Sequence, residues 1–222
     1  MTAGRRPPVV IAIDGPAASG KGTLARRLAK HLGYAYLESG RLYRTVAAKV
    51  LDAGLDPLDA QGAIAIAQAL VPADFDHPNL YTDDTTRVVS AVSAHPGVRA
   101  ALLDLQRRFA AHPPEGAAGA VIDGRDIGTV VCPDAAHKIY LTATPEIRAQ
   151  RRVAQLQGQG REAIYQRVLA DIQDRDRQDE TRPNSPLARA TDAHLLDSTT
   201  LNADQVFTRA LALIEADPTP AS

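Results

Sequence analysis

The sequence is poor in several residue types that mark particular classes of protein. Its 222 residues include one cysteine, one methionine and no tryptophan. The lone cysteine, Cys132, excludes an internal disulfide, is typical of a reducing compartment, and is interpreted as a small buried apolar residue. No run of about 18 apolar residues occurs, so we expect no transmembrane helix. Acidic and basic residues nearly balance, 26 against 25, which argues against a general nucleic-acid-binding or membrane-surface protein.

Length and composition indicate a globular protein. Apolar residues make up 45% of the chain, enough for a sizeable core in one domain that carries insertions. Arg5 and Arg6 are followed at once by a strand pattern, so we expect no signal peptide and a cytoplasmic location. We expect a monomer that binds neither nucleic acid nor membrane, although composition does not settle the oligomeric state.

Strand and helix patterns alternate along much of the chain. The β-branched run 9–13 ends at breaker residues and predicts a buried parallel strand, with a helix from Lys21. Further strands are predicted at 34–37, 120–122, 138–141 and 193–196. This alternation predicts an α/β fold in which helices flank a parallel five-stranded sheet. The proline-punctuated stretch 55–112 has helical patterns and is interpreted as an insertion.

The strongest motif follows the first predicted strand. It reads Gly15-Pro16-Ala17-Ala18-Ser19-Gly20-Lys21-Gly22-Thr23, the P-loop pattern between a strand and a helix. Its glycines permit a tight turn, its backbone N–H groups cradle phosphates, and Lys21 adds positive charge on the terminal phosphates. The hydroxyl residue, Thr23, comes two positions after Lys21, which is typical of nucleoside monophosphate kinases. The alternative is a chance glycine-rich turn.

A phosphate loop alone does not separate kinases from GTPases or motor ATPases. A GTPase carries Asn-Lys-x-Asp for guanine, and no such tetrapeptide occurs in this sequence. A DNA-handling ATPase is usually larger and more basic. The motif therefore favours a small-molecule kinase.

Candidate acceptor residues follow the second and third predicted strands, because ligands bind at the carboxyl ends of parallel strands. Ser39 is expected to cap the next helix and, with Arg44, to hold a second phosphate; the alternative is a capped helix with a surface arginine. Asp123 is placed to reach Mg²⁺ or its waters. Arg125 can reach the transferring phosphate, and Asp126 can accept from an exocyclic amine. A structural turn with an ion pair is the alternative.

An arginine-rich region follows the fourth predicted strand. Arg148 and Arg152 share a helix face, as do Arg175 and Asp179. The glycines within 158–160 separate the two groups and suggest a hinge. Phosphoryl transfer spreads negative charge over several oxygens, so mobile arginines that close over it are one interpretation. A solvated charged helix is the other.

In this order, these segments resemble bacterial cytidylate kinases over nearly the whole chain. Besides the phosphate loop, the matching motifs are Ser39–Arg44, Val89–Ser90, Pro96–Arg99, Asp123–Val131, Arg175–Arg182 and Leu196–Thr199. The resemblance implies a P-loop NTPase fold with a nucleoside-monophosphate-binding (NMP-binding) insertion and a short lid. It implies transfer of the γ-phosphate of ATP to CMP or dCMP, with Mg²⁺.

The resemblance also implies an organisation of the chain. One kinase domain would span 1–222, with its core in the segments 9–40, 117–150 and 190–216. The NMP-binding insertion would occupy about 41–116, and the arginine-rich lid about 151–182.

Roles for acceptor residues follow from the same resemblance. Ser39, Arg44 and Arg125 would hold the acceptor phosphate, and Asp123 would lie with them in the substrate site. Arg175 and Asp179 would contact the ribose.

The resemblance also implies which residues recognise the base and which take part in closure over the substrates. Ser90, Arg99 and Asp126 would read the cytosine, whose N4 amine and N3 acceptor suit an acid and a donor together. Arg182 would serve phosphate binding or closure, and Arg151 would belong to the lid over ATP. The residues implied in catalysis are Lys21, Arg125, Arg151 and Arg182.

The sequence departs from the family pattern at three points. Magnesium would be held by Thr23 and by Glu38 or Asp123, mainly through water, but the family usually has aspartate where Glu38 stands. Arg41 stands where a small residue is common, so a new surface contact or ion pair is expected. The insertion is short around 71–86, so a small sheet there is expected to be trimmed or absent.

Two rival functions remain open at this point. One is a kinase for another small acceptor, such as UMP, AMP or shikimate. The other is a nucleotide-binding regulator that does not transfer phosphate. Release of ADP that depends on the acceptor separates both from the cytidylate kinase interpretation.

Overall fold

A computed structural model of the protein describes residues 7–182 and 184–216. These residues form two compact units: one draws on the described residues within 7–36 and 110–216, and the other is Leu37–Phe109. Arg5 and Arg6, on which the signal-peptide expectation rests, lie outside the described residues. Within the described ranges, no helix has both the length and the apolar character needed to cross a membrane.

Strands and helices alternate as the sequence predicts, and each predicted strand overlaps an observed one. The strands are β1 (Val9–Asp14), β2 (Ala35–Glu38), β3 (Gly119–Gly124), β4 (His137–Thr142) and β5 (His194–Asp197). The helices are α1 (Lys21–Leu32), α2 (Ser39–Asp52), α3 (Ala60–Gln68), α4 (Asp83–Ala94), α5 (Pro96–Ala111), α6 (Pro145–Gly158), α7 (Tyr165–Thr181) and α8 (Ala203–Ala216).

The strands form the expected parallel five-stranded sheet, in the order β2-β3-β1-β4-β5. Strand β1 pairs in parallel with β3 on one side and with β4 on the other. Ile11 and Ile13 of β1 are fully buried, as expected of a central parallel strand. The register places Asp14 beside Gly124 and Tyr140, so three neighbouring strands direct their carboxyl ends to one place.

The core of the first unit joins the sheet to α1 and α8. Leu24 and Leu28 of α1 are buried with Val206 and Ala210 of α8 against the apolar residues of β1 and β4. In both helices the buried residues lie four positions apart, which puts them on one face. Gly33 ends α1 in the left-handed conformation.

The second unit is helical. Helices α2 to α5 contribute to one core, with Leu42, Val46, Val92 and Leu102 among its buried residues. No strand follows β2 in the described residues 39–109. The small sheet that was expected to be trimmed or absent is therefore absent from this described segment.

Cys132 is half-buried rather than buried, so that expectation was wrong. It follows a single π-helical turn, Ile127–Val131. The N–H of Cys132 donates to the carbonyl of Ile127 at 2.7 Å. This backbone bond contributes to the position of Cys132, whereas the sequence argument assumed apolar packing alone.

Gly15 generates a prediction for stability. A Cβ at this position would lie 2.0 Å from the Leu141 carbonyl oxygen, and φ is +145°. We expect Gly15→Ala to lower the free energy of unfolding by more than about 2 kcal/mol, because backbone atoms must move. Urea unfolding measures this change.

The matched control is Gly158→Ala, where nothing lies within 4 Å of the added carbon. Its effect should stay within about 0.5 kcal/mol. Equal stability of the two variants would contradict the close-contact argument.

Candidate active site

The phosphate loop forms a tight turn between β1 and α1. Gly15, Ala18 and Gly20 all have positive φ, at 145°, 58° and 95°. A non-glycine residue such as Ala18 rarely adopts this conformation, and turns of this kind gather backbone N–H groups into an anion-binding concavity. Helix α1 begins at Lys21, so its N-terminal N–H groups also favour an anion at this point.

Lys21 is buried at the start of α1 with 6% of its surface exposed. Its Nζ donates to the Pro16 carbonyl at 2.6 Å. Burial lowers the pKa of Lys21 well below its usual value, and Arg125 lowers it further against the opposing effect of Asp123 and Asp14. A bound phosphate would supply the negative charge that this buried ammonium lacks.

Asp123 and Thr23 are the residues of the first unit that the sequence analysis assigned to magnesium. Asp123 is buried near the end of β3, and the Tyr36 hydroxyl donates to its Oδ1 at 3.0 Å. Thr23 is exposed in the first turn of α1. In residues 7–182 and 184–216, no group of three His, Cys, Asp or Glu side chains could hold a metal. Magnesium usually binds through few protein oxygens, with water and substrate phosphates, so these residues fit it.

Tyr36 contacts a candidate site residue, and sequence reasoning missed this contact. It lies in the second strand, where it reads as an ordinary β-former, and its hydroxyl meets a residue 87 positions away in the chain. Only the pairing of distant segments reveals such a contact.

An arginine–carboxylate network links the end of β3 to α7. Arg125 Nε donates to Asp179 Oδ2 at 2.8 Å, and Arg182 Nη1 lies 3.4 Å from Asp179 Oδ1. Burial acts to raise the pKa of Asp179, but the guanidiniums of Arg125, Arg175 and Arg182 outweigh it, so the pKa is lowered. The structure thus brings together four residues that the sequence analysis placed in one site.

Asp14 was treated only as a breaker residue in the sequence, and the structure gives it a larger part. Its Oδ1 and Oδ2 accept the backbone N–H groups of Ile127 and Gly128 at 2.8 and 2.7 Å. These groups belong to the π-helical turn that begins directly after Asp126. The end of β1 therefore holds the segment that presents Asp126. The sequence signal that could have indicated this role of Asp14 is its position between a buried strand and a phosphate loop.

Two arginines of α6 are held by other parts of the first unit. Arg151 donates to the Ser198 hydroxyl at 2.9 Å and to the Ser198 and Leu201 carbonyls at 2.6 and 3.2 Å. Arg148 is only 3% exposed and forms a two-pronged ion pair with Asp176. The idea that Arg148 is a mobile flap arginine was wrong, because a buried charge with fixed partners is costly to release.

Ser39 and Arg44 lie on α2 of the second unit. Glu38, still in an extended conformation, occupies the N-cap, and Ser39 is the first helical residue. The expectation that Ser39 caps the helix was therefore wrong by one position. Arg44 donates to the Thr86 hydroxyl at 3.0 Å and lies over the Tyr81 ring at 5.2 Å. It is thus oriented by neighbours rather than being an unconstrained surface arginine.

The expected base-reading residues of the second unit lie on α4 and α5. Arg99 is 9% exposed, and its guanidinium lies 5.3 Å from the centre of the Tyr43 ring. Ser90 is exposed on α4. A ring face beneath Arg99 contributes a cation–π attraction that orients this charge.

The two family departures in this unit both make contacts. The Tyr81 hydroxyl donates to Glu38 Oε1 at 3.3 Å. Arg41 forms an ion pair with Asp76 at 2.7 Å and donates to the Phe75 carbonyl at 2.6 Å. The expectation of a new surface contact or ion pair at Arg41 is confirmed.

Comparison with known sequences agrees with these features. The family model described as cytidylate kinase matches residues 11–216. A curated protein named cytidylate kinase from Rhodospirillum rubrum is 53% identical over 93% of this chain and 97% of its own length. One of the same name from Paramagnetospirillum magneticum is 55% identical over 92% of this chain and 97% of its own length.

Comparison with solved structures supports the fold. A gluconokinase from Sinorhizobium meliloti 1021 has a TM-score of 0.51 at 15% identity, over 96% of this chain and 95% of its own. An uncharacterised protein from Eubacterium ventriosum has a TM-score of 0.55 at 14% identity, over 94% of this chain and 99% of its own. At this level of identity the likeness concerns the fold alone.

The buried Asp14 carboxyl generates a pH prediction. Burial, with a smaller effect of Asp126, raises its pKa to about 6 from 3.8, although the Gly128 and Ile127 N–H groups and Lys21 lower it. A raised pKa means that Asp14 contributes stability below about pH 4 that is lost as pH rises through 6. We expect the free energy of unfolding of wild type, relative to Asp14→Asn, to fall by about 2 to 3 kcal/mol between pH 4 and 7.

Urea titrations of the nucleotide-free, magnesium-free protein at several pH values measure this difference. Asp171→Asn removes an exposed carboxylate of the first unit and serves as the control. Parallel pH profiles for wild type and Asp14→Asn would contradict the assignment.

Proposed function

Because this chain belongs to the cytidylate kinase family, we propose that it transfers the γ-phosphate of ATP to CMP or dCMP, yielding ADP and CDP or dCDP. One observation carries the proposal: the family match spans residues 11–216. That range includes the phosphate loop and every residue expected to bind the acceptor. The fold resemblance to a gluconokinase adds only that this architecture occurs in kinases.

On the donor side, we assign ATP to the loop from Gly15 to Thr23. Backbone N–H groups of the loop and the N-terminus of α1 would bind the phosphates, with Lys21 exchanging its bond to the Pro16 carbonyl for a phosphate oxygen. Thr23, with Glu38 or Asp123, would hold Mg²⁺ through water. When bound, Mg²⁺ neutralises charge on the phosphates.

On the acceptor side, the incoming nucleophile is a phosphate oxygen that is already ionised at neutral pH. No general base is required, so catalysis rests on in-line positioning and charge neutralisation. By resemblance to the family, Ser39, Arg44 and Arg125 would hold the acceptor phosphate. The ion pair between Arg125 and Asp179 supports this role because it holds the guanidinium in place before substrate arrives.

Ribose and base would be read by the remaining residues. We assign the ribose to Arg175 and Asp179, and the cytosine to Ser90, Arg99 and Asp126. The acceptor Asp126 suits the cytosine N4 amine, and the donor Arg99 suits N3.

Closure over the phosphates would involve two further arginines, Arg151 and Arg182. In the structure Arg151 is bonded to Ser198, so a role over ATP would require that side chain to move. Arg182 already contacts Asp179, beside the proposed ribose site.

The domain organisation and the setting of the enzyme are part of the proposal. The second unit, Leu37–Phe109, would be the NMP-binding insertion, and α6 and α7 would carry the lid. Near-balanced charge and a single cysteine support a cytoplasmic protein that does not bind nucleic acid or membranes, and we propose that it is a monomer.

An acceptor panel tests the activity. ADP release should depend on added CMP or dCMP and should be slow with UMP, AMP, shikimate or no acceptor. A preference for UMP over CMP would reject the base assignment, and ATP binding without ADP release would indicate a regulator.

Lys21→Ala should lower kcat with CMP by several orders of magnitude, because the transition state loses its charge partner at the loop.

The choice between cytosine and uracil generates a second prediction. Asp126→Asn should lower the ratio of kcat/KM for CMP to that for UMP by about tenfold or more, since a good pair of base contacts contributes about 1–3 kcal/mol. The amide can donate to uracil O4, which a carboxylate cannot.

Steady-state kinetics with both acceptors measures this ratio, and KM for ATP serves as an internal control. Asp134→Asn, at an exposed position ten residues after Gly124, should leave the ratio unchanged. An unaltered ratio in Asp126→Asn would remove Asp126 from base recognition.

A further inference from the structure

Arg148 connects four segments of the first unit through one buried guanidinium. Its Nε donates to the Ala143 carbonyl, just after β4, at 2.9 Å. Its Nη1 donates to the Ala17 carbonyl of the phosphate loop at 3.1 Å and to Asp176 Oδ1 at 3.0 Å. Its Nη2 donates to Asp176 Oδ2 at 2.6 Å. The side chain itself belongs to α6, and Asp176 belongs to α7.

The bond to Ala17 has a direct consequence for the loop. A peptide group is planar and trans, so the carbonyl of Ala17 and the N–H of Ala18 point in opposite directions. An arginine that holds the Ala17 carbonyl on one side therefore directs the Ala18 N–H to the other side. Ala18 has φ of +58°, a conformation that an alanine keeps only when its surroundings impose it.

Apolar packing supports the same arrangement. The Ala18 side chain packs against a small cluster whose buried members are Ala149 of α6 and Val168 and Ile172 of α7. Helices α6 and α7, which supply Arg148 and Asp176, thus also contact the loop through the Ala18 side chain. Two independent contacts, one polar and one apolar, fix the peptide between Ala17 and Ala18.

We propose that Arg148 and Asp176 are a positioning pair that sets the Ala17–Ala18 peptide of the phosphate loop and so determines affinity for the triphosphate of ATP. Asp176 acts through Arg148: its two oxygens orient the guanidinium, and the guanidinium orients the loop. Neither residue needs to touch the nucleotide.

The pair also gives α7 a link to both substrates. Asp176 and Asp179 lie three positions apart, and each carboxylate holds an arginine from another segment, Arg148 and Arg125 respectively. In the proposed function Arg125 contacts the acceptor phosphate. The same helix therefore supports the donor loop through Asp176 and the acceptor arginine through Asp179, and this link rests on the proposed function.

The test compares Asp176→Asn with Asp174→Asn. Asp174 lies on the same helix, is exposed and pairs with Arg177, so it matches the change in charge without the buried contact. Binding of ATP is measured by calorimetry without acceptor, and KM for ATP and for CMP by steady-state kinetics. We expect Asp176→Asn to weaken ATP binding and raise its KM about tenfold or more, which corresponds to about 1.4 kcal/mol. KM for CMP should change less than about twofold, and Asp174→Asn should match wild type.

A second variant keeps the test decisive if Asp176→Asn folds poorly. Arg148→Lys retains one charge but cannot contact Ala143, Ala17 and both oxygens of Asp176 together, so it should also weaken ATP binding. Thermal unfolding and circular dichroism establish that each variant is folded. In the double variant the losses should be far from additive, because both changes break one linkage.

Three results would overturn the proposal. The first is ATP affinity within twofold of wild type in a folded Asp176→Asn or Arg148→Lys variant. The second is an equal rise of KM for both substrates, which indicates general destabilisation. The third is strict additivity in the double variant. The first and third results are obtained from ATP binding without acceptor, so they are independent of whether CMP is the substrate.

Discussion

The parallel register of β1 with β3 and β4 is the constraint on which the site of the first unit depends. It aligns Asp14 with Gly124 and Tyr140, so the phosphate loop after β1 and the charged turn after β3 leave the sheet at the same edge. Backbone hydrogen bonds between strands set this alignment, and Ile11, Ala12 and Ile13 of β1 are all buried because a central parallel strand is covered on both faces. The packing of the apolar core therefore sets the positions of these polar groups.

Charge brought together at that edge must be compensated. Lys21, Asp14 and Asp123 are each at least nine-tenths buried, and Arg125 lies among them as a further cation. The carboxylate of Asp14 is engaged by backbone donors, so Lys21 has only partial compensation. Because these charged groups are in place before substrate arrives, little reorganisation is needed during phosphoryl transfer. Such electrostatic preorganisation is the main source of catalysis in a reaction that requires no proton transfer.

The arginines fall into two groups that only their surroundings distinguish. Arg148 is enclosed and bonded in several directions, which makes it part of the scaffold of the phosphate loop. Arg44 and Arg99 instead lie over tyrosine rings in the second unit. A tyrosine ring contacts the flat face of a guanidinium, whereas the N–H donors lie at the edge of the guanidinium. This geometry suits an arginine that is proposed to bind phosphate or base.

Local pattern sufficed for much of this protein. The β-branched run before Gly15, the spacing of loop glycines and Lys21, and the helical repeat of α1 depend on residues close in the chain, and these were predicted with strand bounds within two residues. The Ser39 cap failed by one position because helix starts depend on backbone angles that neighbouring residue types do not fix. The half-burial of Cys132 was also missed, because a π-helical turn has no simple residue signature.

The sequence by itself determined the class of chemistry, because a phosphate loop is a contiguous motif whose function resides in its own backbone and one lysine. The tertiary structure alone decided which charged residues became scaffold. Nothing in the spacing of Arg148, Arg151 and Arg152 separates a buried ion pair from a solvated face. The partners Asp176 and Ala17 lie 28 and 131 positions away from Arg148. Burial and ion pairing depend on which distant segments meet, and that is settled only when the chain is packed.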